Sequence, residues 1–230
     1  MRIFCIIPAL NEEKTIGEVV KKVKPLVDEI VLVDDGSSDR TAQIATEFGA
    51  VILRHPLNRG QGAALETGNQ YALKNGADII FHFDADGQFS TEDISTVLAP
   101  LLSSESDAVL GSRFLGKESN MPAFKKKVIM PIARLVNNVL LGVELSGLTD
   151  PQCGFRAMTS SAWRKISIKQ GGMAHTSEII SKIIRNKIKV KEVPITVTYH
   201  RAGQGFFGGR GTGSGGIRVV KDLLLAKLMD

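Results

Sequence analysis

An apolar run meets two carboxylates in residues 79–88, which read IIFHFDADGQ. The first five of these residues are typical of a buried strand, and Asp84 and Asp86 follow it one residue apart. Two carboxylates at the end of a buried strand repel each other and resist desolvation. A divalent cation with oxygen ligands would relieve that repulsion and could also bind a diphosphate leaving group. An ordinary Asp-Gly turn is the alternative for this pattern taken alone.

On both sides of this stretch, short apolar runs alternate with amphipathic segments. We predict strands at residues 2–7, 30–33, 51–53, 79–83 and 108–110, and helices at residues 12–24, 39–48, 61–75, 91–103, 160–168 and 175–186. Residues 190–199 are predicted to be extended. The alternation predicts an α/β fold, with a mostly parallel sheet flanked by helices and right-handed crossovers.

Polar pairs follow three of the predicted strands. They are Asn11-Glu12, Asp34-Asp35 and Asp84 with Asp86. Ligands of such sheets bind beyond the carboxyl ends of the strands, so the sequence predicts a site there. Asp34 and Asp35 could accept hydrogen bonds from a nucleoside, or they could simply begin the next helix. Asn11 is predicted to cap the helix that follows it.

The composition indicates one large domain, alone or with an appendage. The chain has 230 residues, of which 43% are hydrophobic, enough for a sizeable core. Cys5 and Cys153 are far apart and form no CxxC pair, which indicates reduced thiols rather than a disulfide scaffold. The apolar stretches are too short for a transmembrane span, and we expect no signal peptide.

Charge is divided unevenly along the chain. Residues 1–110 hold 9 Lys and Arg against 17 Asp and Glu, a net −8, whereas residues 111–230 hold 20 against 7, a net +13. The acidic half could take a cation, and the basic half could meet phosphates or an anionic membrane. The basic half lacks interleaved aromatic residues, so we expect no nucleic-acid partner.

Two segments of the basic half stand apart from the alternating pattern. Residues 122–145 combine Lys125-Lys126-Lys127 with apolar runs, which fits amphipathic helices at a membrane surface or an ordinary core-facing helix pair. Residues 203–216 contain 8 glycines in 14 positions and precede a predicted final helix at about 217–229. This Gly-rich loop could be a lid over the site or a linker.

Several single residues are candidates with two open interpretations. Arg113 and Arg201 follow predicted strands, where each could clamp a phosphate or form a surface salt bridge. Asp150 could be a site carboxylate or a paired turn residue near Arg156. His175 and Glu178 are one helical turn apart, as metal ligands or an acid–base pair would be, but a capped helix start is the favoured interpretation.

One glycine pair resembles a cofactor motif only superficially. Gly60-Gln61-Gly62 lacks the third glycine and the acidic partner of a dinucleotide fingerprint. We interpret it as a helix start that permits close approach of the backbone.

Five motifs occur in the order typical of one enzyme family. They are IPALNE at 7–12, VDDGSSDRT at 33–41, DADGQ at 84–88, GSR at 111–113 and TDPQCGFR at 149–156. Together they resemble the family 2 glycosyltransferases, and within them the dolichol-phosphate mannose synthase and polyprenyl-phosphate glucosyltransferase branch. The resemblance covers roughly residues 3–200.

The resemblance implies a GT-A (Rossmann-like) fold, a nucleotide-diphosphate-sugar donor, Mg²⁺ or Mn²⁺, and inversion at the anomeric carbon. It places residues of the nucleoside pocket at Pro8, Ala9, Glu12 and Asp35, and metal and diphosphate ligands at Asp84, Asp86 and Gln88. It assigns the acceptor phosphate to Arg113 and the donor diphosphate to Arg201. The domain would span residues 1–202, followed by the Gly-rich loop and C-terminal helix at 203–230.

The sequence therefore predicts an inverting transferase that moves mannose or glucose, from GDP-mannose or UDP-glucose, to a polyprenyl phosphate. We expect a cytoplasmic protein that is peripheral at the inner face of the membrane, and a separate membrane-protein partner stays open. One alternative is transfer to a soluble hydroxyl acceptor, for which Asp150 is the candidate catalytic base. Another is a catalytically silent module that binds nucleotide sugars.

Overall fold

The computed structural model describes residues 1–115, 148–172 and 174–198. Within these residues, seven strands form a single sheet: β1 Ile3–Ala9, β2 Glu29–Asp34, β3 Val51–Arg54, β4 Ile79–His82, β5 Ala108–Ser112, β6 Arg156–Thr159 and β7 Val190–Pro194. The α-helices are α1 Ile16–Val23, α2 Thr41–Glu47, α3 Gln61–Lys74, α4 Ile94–Leu102, α5 Ser160–Trp163 and α6 His175–Arg185. Short 3-10 turns lie at Lys24–Leu26 and Thr91–Asp93.

The strand order is β3-β2-β1-β4-β6-β5-β7. Only β6 runs antiparallel to its neighbours β4 and β5, and the other pairings are parallel. The predicted α/β class with a mostly parallel sheet is therefore confirmed. The chain leaves β1 toward β2 and later returns to its other side as β4, so the strand order reverses beside β1, where α/β sheets form a ligand crevice.

Strand β6 was missed by the sequence analysis. It has only four residues, and it begins with the charged Arg156 instead of an apolar run. Its register places Arg156 opposite His82 of β4 and opposite Leu110 of β5. Because β6 is antiparallel, its beginning lies at the sheet edge where the parallel strands end.

Helices cover both faces of the sheet. On one face, α1, α2 and α4 pack around buried residues such as Ile7, Val20 and Val97. On the other face, α3, α5 and α6 pack around residues such as Ile6 and Trp163. Apolar residues on both sides explain why the central strands are continuous hydrophobic runs instead of alternating ones.

Two helix predictions need correction. Asn11 does not cap the first helix, because α1 begins at Ile16 and its N-cap is Thr15. Asn11 instead has a left-handed backbone with φ of 57°, and its side-chain oxygen accepts a hydrogen bond from the Ser38 amide at 2.9 Å. The predicted helix at 160–168 is a single turn, Ser160–Trp163.

Several predictions fall outside the described residues. They concern Arg201, the candidate interface helices at 122–145, and the loop and helix at 203–230. The domain division at residue 202 therefore stays a prediction. In the part of the chain that the structure describes, no helix combines the length and the apolarity needed to cross a membrane.

Glycine 68 lets α3 lie directly on the sheet. A methyl group at this position would overlap the Ile6 side chain and would lie 3.2 Å from Val33 Cγ2. Neither neighbour has room to withdraw, because Ile6 and Val33 are fully buried.

We expect Gly68→Ala to destabilise the protein. Alanine normally stabilises a helix by about 0.5–1 kcal/mol relative to glycine, whereas overpacking a core costs about 1–3 kcal/mol. Urea unfolding should therefore show a net loss of stability. The exposed Gln70→Ala on the same helix is the control and should change the free energy of unfolding by less than about 0.5 kcal/mol. A stabilised Gly68→Ala protein would contradict the packing described here.

Candidate active site

Polar side chains gather at the carboxyl edge of the sheet. The parallel strands β1, β2, β4 and β5 all end there, followed by Glu12, Asp35, Asp84 and Arg113 respectively. The segment that leads into the antiparallel β6 reaches the same edge and brings Asp150 to Arg113. Residues far apart in sequence are thus placed along one rim by the strand order.

The residues predicted for the nucleoside pocket lie at the ends of β1 and β2. Pro8 and Ala9 are the last residues of β1 and are in register with Val33 and Asp34 of β2. The Ala9 carbonyl accepts a hydrogen bond from the Asp35 amide at 2.9 Å. No contact here tests nucleoside binding, so the roles of these residues stay predictions.

The adjacent carboxylates of β2 organise the loops around them. Asp34 accepts a hydrogen bond from the Ser37 amide at 2.8 Å and lies 3.2 Å from Arg54 Nε. Asp35 is fully buried, and it accepts hydrogen bonds from the amides of Arg59 and Gly60 at 2.9 and 2.8 Å. The pair does not begin the next helix, which starts at Thr41, and these contacts instead hold the loops beside β2. Contact with a nucleoside stays a prediction.

Glu12 is a buried carboxyl group that faces other acids. Its main-chain amide donates to Thr41 Oγ1 at 2.7 Å, and its side chain accepts from Thr15 Oγ1 at 3.1 Å. Burial, together with the negative charges of Asp86 and Asp39, raises the pKa of Glu12 from 4.5 to about 7 against the opposing Thr15 hydrogen bond. The rim therefore carries more negative charge than its surroundings compensate.

Asp84 and Asp86 form the centre of this acidic rim. Asp84 Oδ1 accepts a hydrogen bond from Gln61 Nε2 at 3.0 Å, and Asp86 Oδ1 accepts one from the Gln88 amide at 3.0 Å. Burial, followed by the charge of Asp86, raises the pKa of Asp84 from 3.8 to about 7. Gly154 approaches the other oxygen so closely that a methyl group there would lie 3.0 Å from Asp84 Oδ2.

This arrangement fits a divalent cation. Two repelling carboxylates supply hard oxygen ligands, and a cation between them would remove the penalty that raises the pKa of Asp84. Among the described residues, no group of three His, Cys, Asp or Glu side chains could hold a metal. A metal at Asp84 and Asp86 would therefore take its remaining oxygen ligands from water or from a diphosphate, as Mg²⁺ commonly does.

Arg113 and Asp150 form a buried bidentate ion pair. Arg113 Nε and Nη2 donate to the two Asp150 oxygens at 2.6 and 2.7 Å, and the Arg113 amide donates to Oδ2 at 3.1 Å. The Asp150 amide in turn donates to Glu192 at 2.8 Å. Asp150 is therefore a paired carboxylate, and its partner is Arg113 instead of the nearby Arg156. Its role in a site stays a prediction. Held in this way, Asp150 orients a guanidinium at the rim.

The burial of Arg156 and its effect on Asp84 were not predicted from the sequence. Its side chain is fully buried, Nε donates to the Gly154 carbonyl at 3.3 Å, and Nη2 donates to Thr176 Oγ1 at 3.4 Å. Among the residues that the structure describes, its Nη1 finds no hydrogen-bond partner. Burial lowers the pKa of Arg156 to about 10, while Cys153 and Asp84 raise it. Its charge thus lies behind the acidic rim and partly offsets Asp84.

His175 and Glu178 serve the local structure. His175 is buried and its Nδ1 lies 2.8 Å from the Gly172 carbonyl. Burial lowers the pKa of His175 to about 4, with a further contribution from Arg156. Glu178 accepts hydrogen bonds from the amides of Lys169 and Gln170 and pairs with Lys182. Both side chains therefore hold the start of α6 and the loop before it.

The approach of the chain to Arg201 can be followed as far as Thr198. The amide of Thr198 donates to the Gln88 carbonyl at 2.9 Å, and Val197 forms a bridge with Phe89. The described chain thus lies beside the Asp84–Gln88 turn three residues before Arg201.

A comparison with known protein families identifies the family of this chain. Residues 4–170 match the model of glycosyl transferase family 2. The chain belongs to that family. It is accordingly a glycosyltransferase, as predicted, of a family that inverts the anomeric carbon.

Similar proteins include archaeal and bacterial relatives. An uncharacterised protein of Methanocaldococcus jannaschii is 41% identical over 86% of this chain and 82% of its own length. A UDP-N-acetylglucosamine–dolichyl-phosphate N-acetylglucosaminyltransferase of Methanococcus voltae is 35% identical over 86% of each chain. A polyprenol monophosphomannose synthase of Mycolicibacterium smegmatis is 29% identical over 88% of this chain and 79% of its own.

Solved structures share the fold. Glucosyl-3-phosphoglycerate synthase from Mycobacterium tuberculosis matches with a TM-score of 0.74 and 22% identity, over 98% of this chain and 79% of that one. The same enzyme has been crystallised with Mg²⁺ and UDP, and this structure matches with a TM-score of 0.72. The GT-A fold expected from the motifs is thereby confirmed.

We expect Glu12 and Asp84 to lower the stability of the metal-free protein as pH rises from about 4.5 to about 7. Both have pKa values of about 7 in the folded state, above their ordinary 4.5 and 3.8. These two groups take up protons on folding across this window, which lowers the free energy of unfolding as pH rises. His82 and His175 contribute the opposite slope, because burial lowers their pKa values below 6.5. Urea titrations of the wild type and of a Glu12 variant at a series of pH values isolate the contribution of Glu12.

Glu12→Gln removes one of the two carboxyl groups, so its free energy of unfolding relative to the wild type should rise as pH increases from about 4.5 to about 7. The matched control is Glu18→Gln on the exposed face of α1, whose difference from the wild type should stay constant across this window. A Glu12→Gln difference that does not change with pH would contradict the charge balance described for the rim.

Proposed function

We propose that this glycosyltransferase moves a sugar from a nucleotide-diphosphate donor to a polyprenyl phosphate, with Mg²⁺ or Mn²⁺ as the cofactor. The observation that carries the proposal is the Asp84–Asp86 pair on the same rim as Arg113. The Asp84–Asp86 pair favours a cation that would hold the donor diphosphate. Arg113 would present its guanidinium to an anionic acceptor. A transferase of phosphate acceptors needs both.

The donor side of the proposal rests on Asp84, Asp86 and Gln88. The carboxylates would hold the metal, which would neutralise negative charge on the leaving diphosphate. Solved structures of the same fold contain UDP together with Mg²⁺ or with Mn²⁺, which supports the choice of metal. Arg201, from its place in the sequence, would add a second positive charge.

On the acceptor side, the proposed chemistry needs little help from a base. A phosphate oxygen of the acceptor forms a bond to the anomeric carbon, and the bond from that carbon to the diphosphate breaks. The bonding electron pair leaves with the diphosphate, and attack from the opposite face inverts the centre. Because the attacking phosphate is already anionic near neutral pH, the residues have to orient it, which Arg113 would do.

The named relatives support a lipid acceptor more strongly than any one sugar. The proteins from Methanococcus voltae, Mycolicibacterium smegmatis and Micrococcus luteus are named for dolichyl, polyprenol and undecaprenyl acceptors. Their names differ in the sugar, which is N-acetylglucosamine in the first and mannose in the others. The donors to test are therefore GDP-mannose, UDP-glucose and UDP-N-acetylglucosamine.

The geometry disfavours a soluble hydroxyl acceptor. That reaction needs a base, and Asp150 was the candidate from the sequence. Asp150 is buried, and both of its oxygens already accept hydrogen bonds from Arg113. A proton taken up by Asp150 would neutralise the charge that pairs with Arg113 and would leave this guanidinium uncompensated, which is costly.

We expect Asp84→Ala to lose on the order of a hundredfold or more in transfer rate, because the cation loses a ligand at the leaving group. The measurement is transfer of radiolabelled sugar from each donor to polyprenyl phosphate in detergent, with Mn²⁺. Asp78→Ala is the matched control, since Asp78 precedes the same strand at the opposite edge of the sheet and is exposed. Normal turnover by Asp84→Ala would refute the metal assignment.

A peripheral place at the membrane completes the proposal. Residues 122–145 contain three consecutive lysines and apolar runs, which suits contact with anionic lipid. Each lysine near such a surface contributes about 1 kcal/mol.

Replacing Lys125, Lys126 and Lys127 together by Glu should therefore weaken co-sedimentation with phosphatidylglycerol vesicles by about a hundredfold or more. The same triple replacement at Lys187, Lys189 and Lys191 matches the change in charge and should leave co-sedimentation close to that of the wild type. Equal pelleting of the two variants would remove the membrane role from residues 122–145.

A further inference from the structure

Gln61 is the side chain that holds Asp84. Its Nε2 donates to Asp84 Oδ1 at 3.0 Å, and the residue is only 7% exposed. Gln61 begins α3, directly after Gly60, whose φ of 93° is in the left-handed region. A neutral amide can orient a carboxylate by a hydrogen bond without cancelling its charge, which a lysine or arginine would do.

Asp35 fixes the loop that delivers this amide. Its two oxygens accept hydrogen bonds from the Arg59 and Gly60 amides at 2.9 and 2.8 Å, and His55 Nδ1 lies 2.7 Å from Oδ1. The carboxylate thus binds the two residues that immediately precede Gln61. Three hydrogen bonds to one buried carboxylate allow little movement of that loop.

The opposite side of Gln61 is held by backbone contact. The Gly62 amide donates to the Gly171 carbonyl at 2.8 Å. A methyl group on Gly60 would overlap the Gly171 carbonyl, and one on Gly62 would overlap the Gln170 carbonyl. The loop before α6 therefore lies against the start of α3 at a distance that only glycine permits.

We propose that Gln61 is a positioning residue that orients the Asp84 carboxylate for the divalent cation, and that Asp35 acts on the same carboxylate through Gln61. The proposal rests on the proposed function, since it assumes that Asp84 is a metal ligand. It gives Asp35 a role at the donor diphosphate in addition to the nucleoside contact expected from the motifs. Asp35 and Asp84, which belong to two separate motifs, would thereby be linked by hydrogen bonds through the loop that carries Gln61.

Gln61→Met tests the proposal because it keeps the length of the side chain and removes the amide. Loss of a residue that orients a metal ligand typically costs about 10–100-fold in metal affinity, so we expect Mn²⁺ affinity to fall by at least about tenfold. Electron paramagnetic resonance titration measures Mn²⁺ binding alone and then with UDP or GDP. The melting temperature of the metal-free protein is recorded in parallel.

Gln70→Met is the matched control. Gln70 lies on the exposed face of the same helix and donates to Glu66 at 2.8 Å, within the helix itself. The control should bind Mn²⁺ like the wild type. Gln61→Asn, which keeps an amide but withdraws it by one methylene group, is a second variant in case Gln61→Met fails to fold, and it should show the same loss of affinity.

The contribution of Asp35 is tested by a double-mutant cycle. Asp35→Asn should weaken the binding of Mn²⁺ alone, and the loss should not add to that of Gln61→Met if Asp35 acts through Gln61. A variant of Asp35 that weakens UDP or GDP binding but leaves the binding of Mn²⁺ alone unchanged would overturn the link to Asp84.

Asp84→Asn separates the two levels of inference. If it loses Mn²⁺ binding while Gln61→Met and Gln61→Asn bind like Gln70→Met, the positioning role is wrong and the metal assignment stands. If Asp84→Asn binds Mn²⁺ normally, the metal assignment itself is wrong and the role of Gln61 falls with it. The proposal holds if Asp84→Asn and both Gln61 variants lose affinity at an unchanged melting temperature.

Discussion

The repulsion between Asp84 and Asp86 is the constraint on which the rest of the rim depends. Neither carboxylate can be moved far, because the buried strand β4 fixes the point from which both extend. Three neighbours affect Asp84. Gln61 donates a hydrogen bond from a neutral amide, the positive charge of Arg156 partly offsets the carboxylate, and Gly154 has no side chain to crowd its Oδ2. None of the three cancels the charge, so the rim stays electronegative, as the proposed cation requires.

The sequence predicted the framework well because the framework is built from apolar periodicity. The strands β1, β2 and β4 are continuous hydrophobic runs, and the order in which polar pairs follow them is visible without a structure. Strand β6 escaped because a four-residue strand that begins with a buried arginine carries no such pattern. The Arg156 side chain is instead accommodated by hydrogen bonds to the Gly154 carbonyl and to Thr176 Oγ1 in α6.

The site residues could be predicted where their place after a strand indicates their role. They could not be predicted where the role depends on a contact between residues distant in the sequence. Asp84 and Asp86 could be recognised from their place after a strand. The pairing of Arg113 with Asp150 joins residues 37 positions apart, and the contact of Gln61 with Asp84 joins residues 23 positions apart. Gln61 was interpreted as part of a glycine-rich helix start, and the close contact of those glycines with the loop at 170–171 confirms the expected approach of the backbone.

The loop at residues 150–154 contacts two parts of the rim. One end of it, Asp150, holds the guanidinium assigned to the acceptor, and the other end, Gly154, lies against a carboxylate assigned to the donor. Under the proposed function, these five residues would join the acceptor site to the donor site. A movement of this loop would then displace a residue at both sites together.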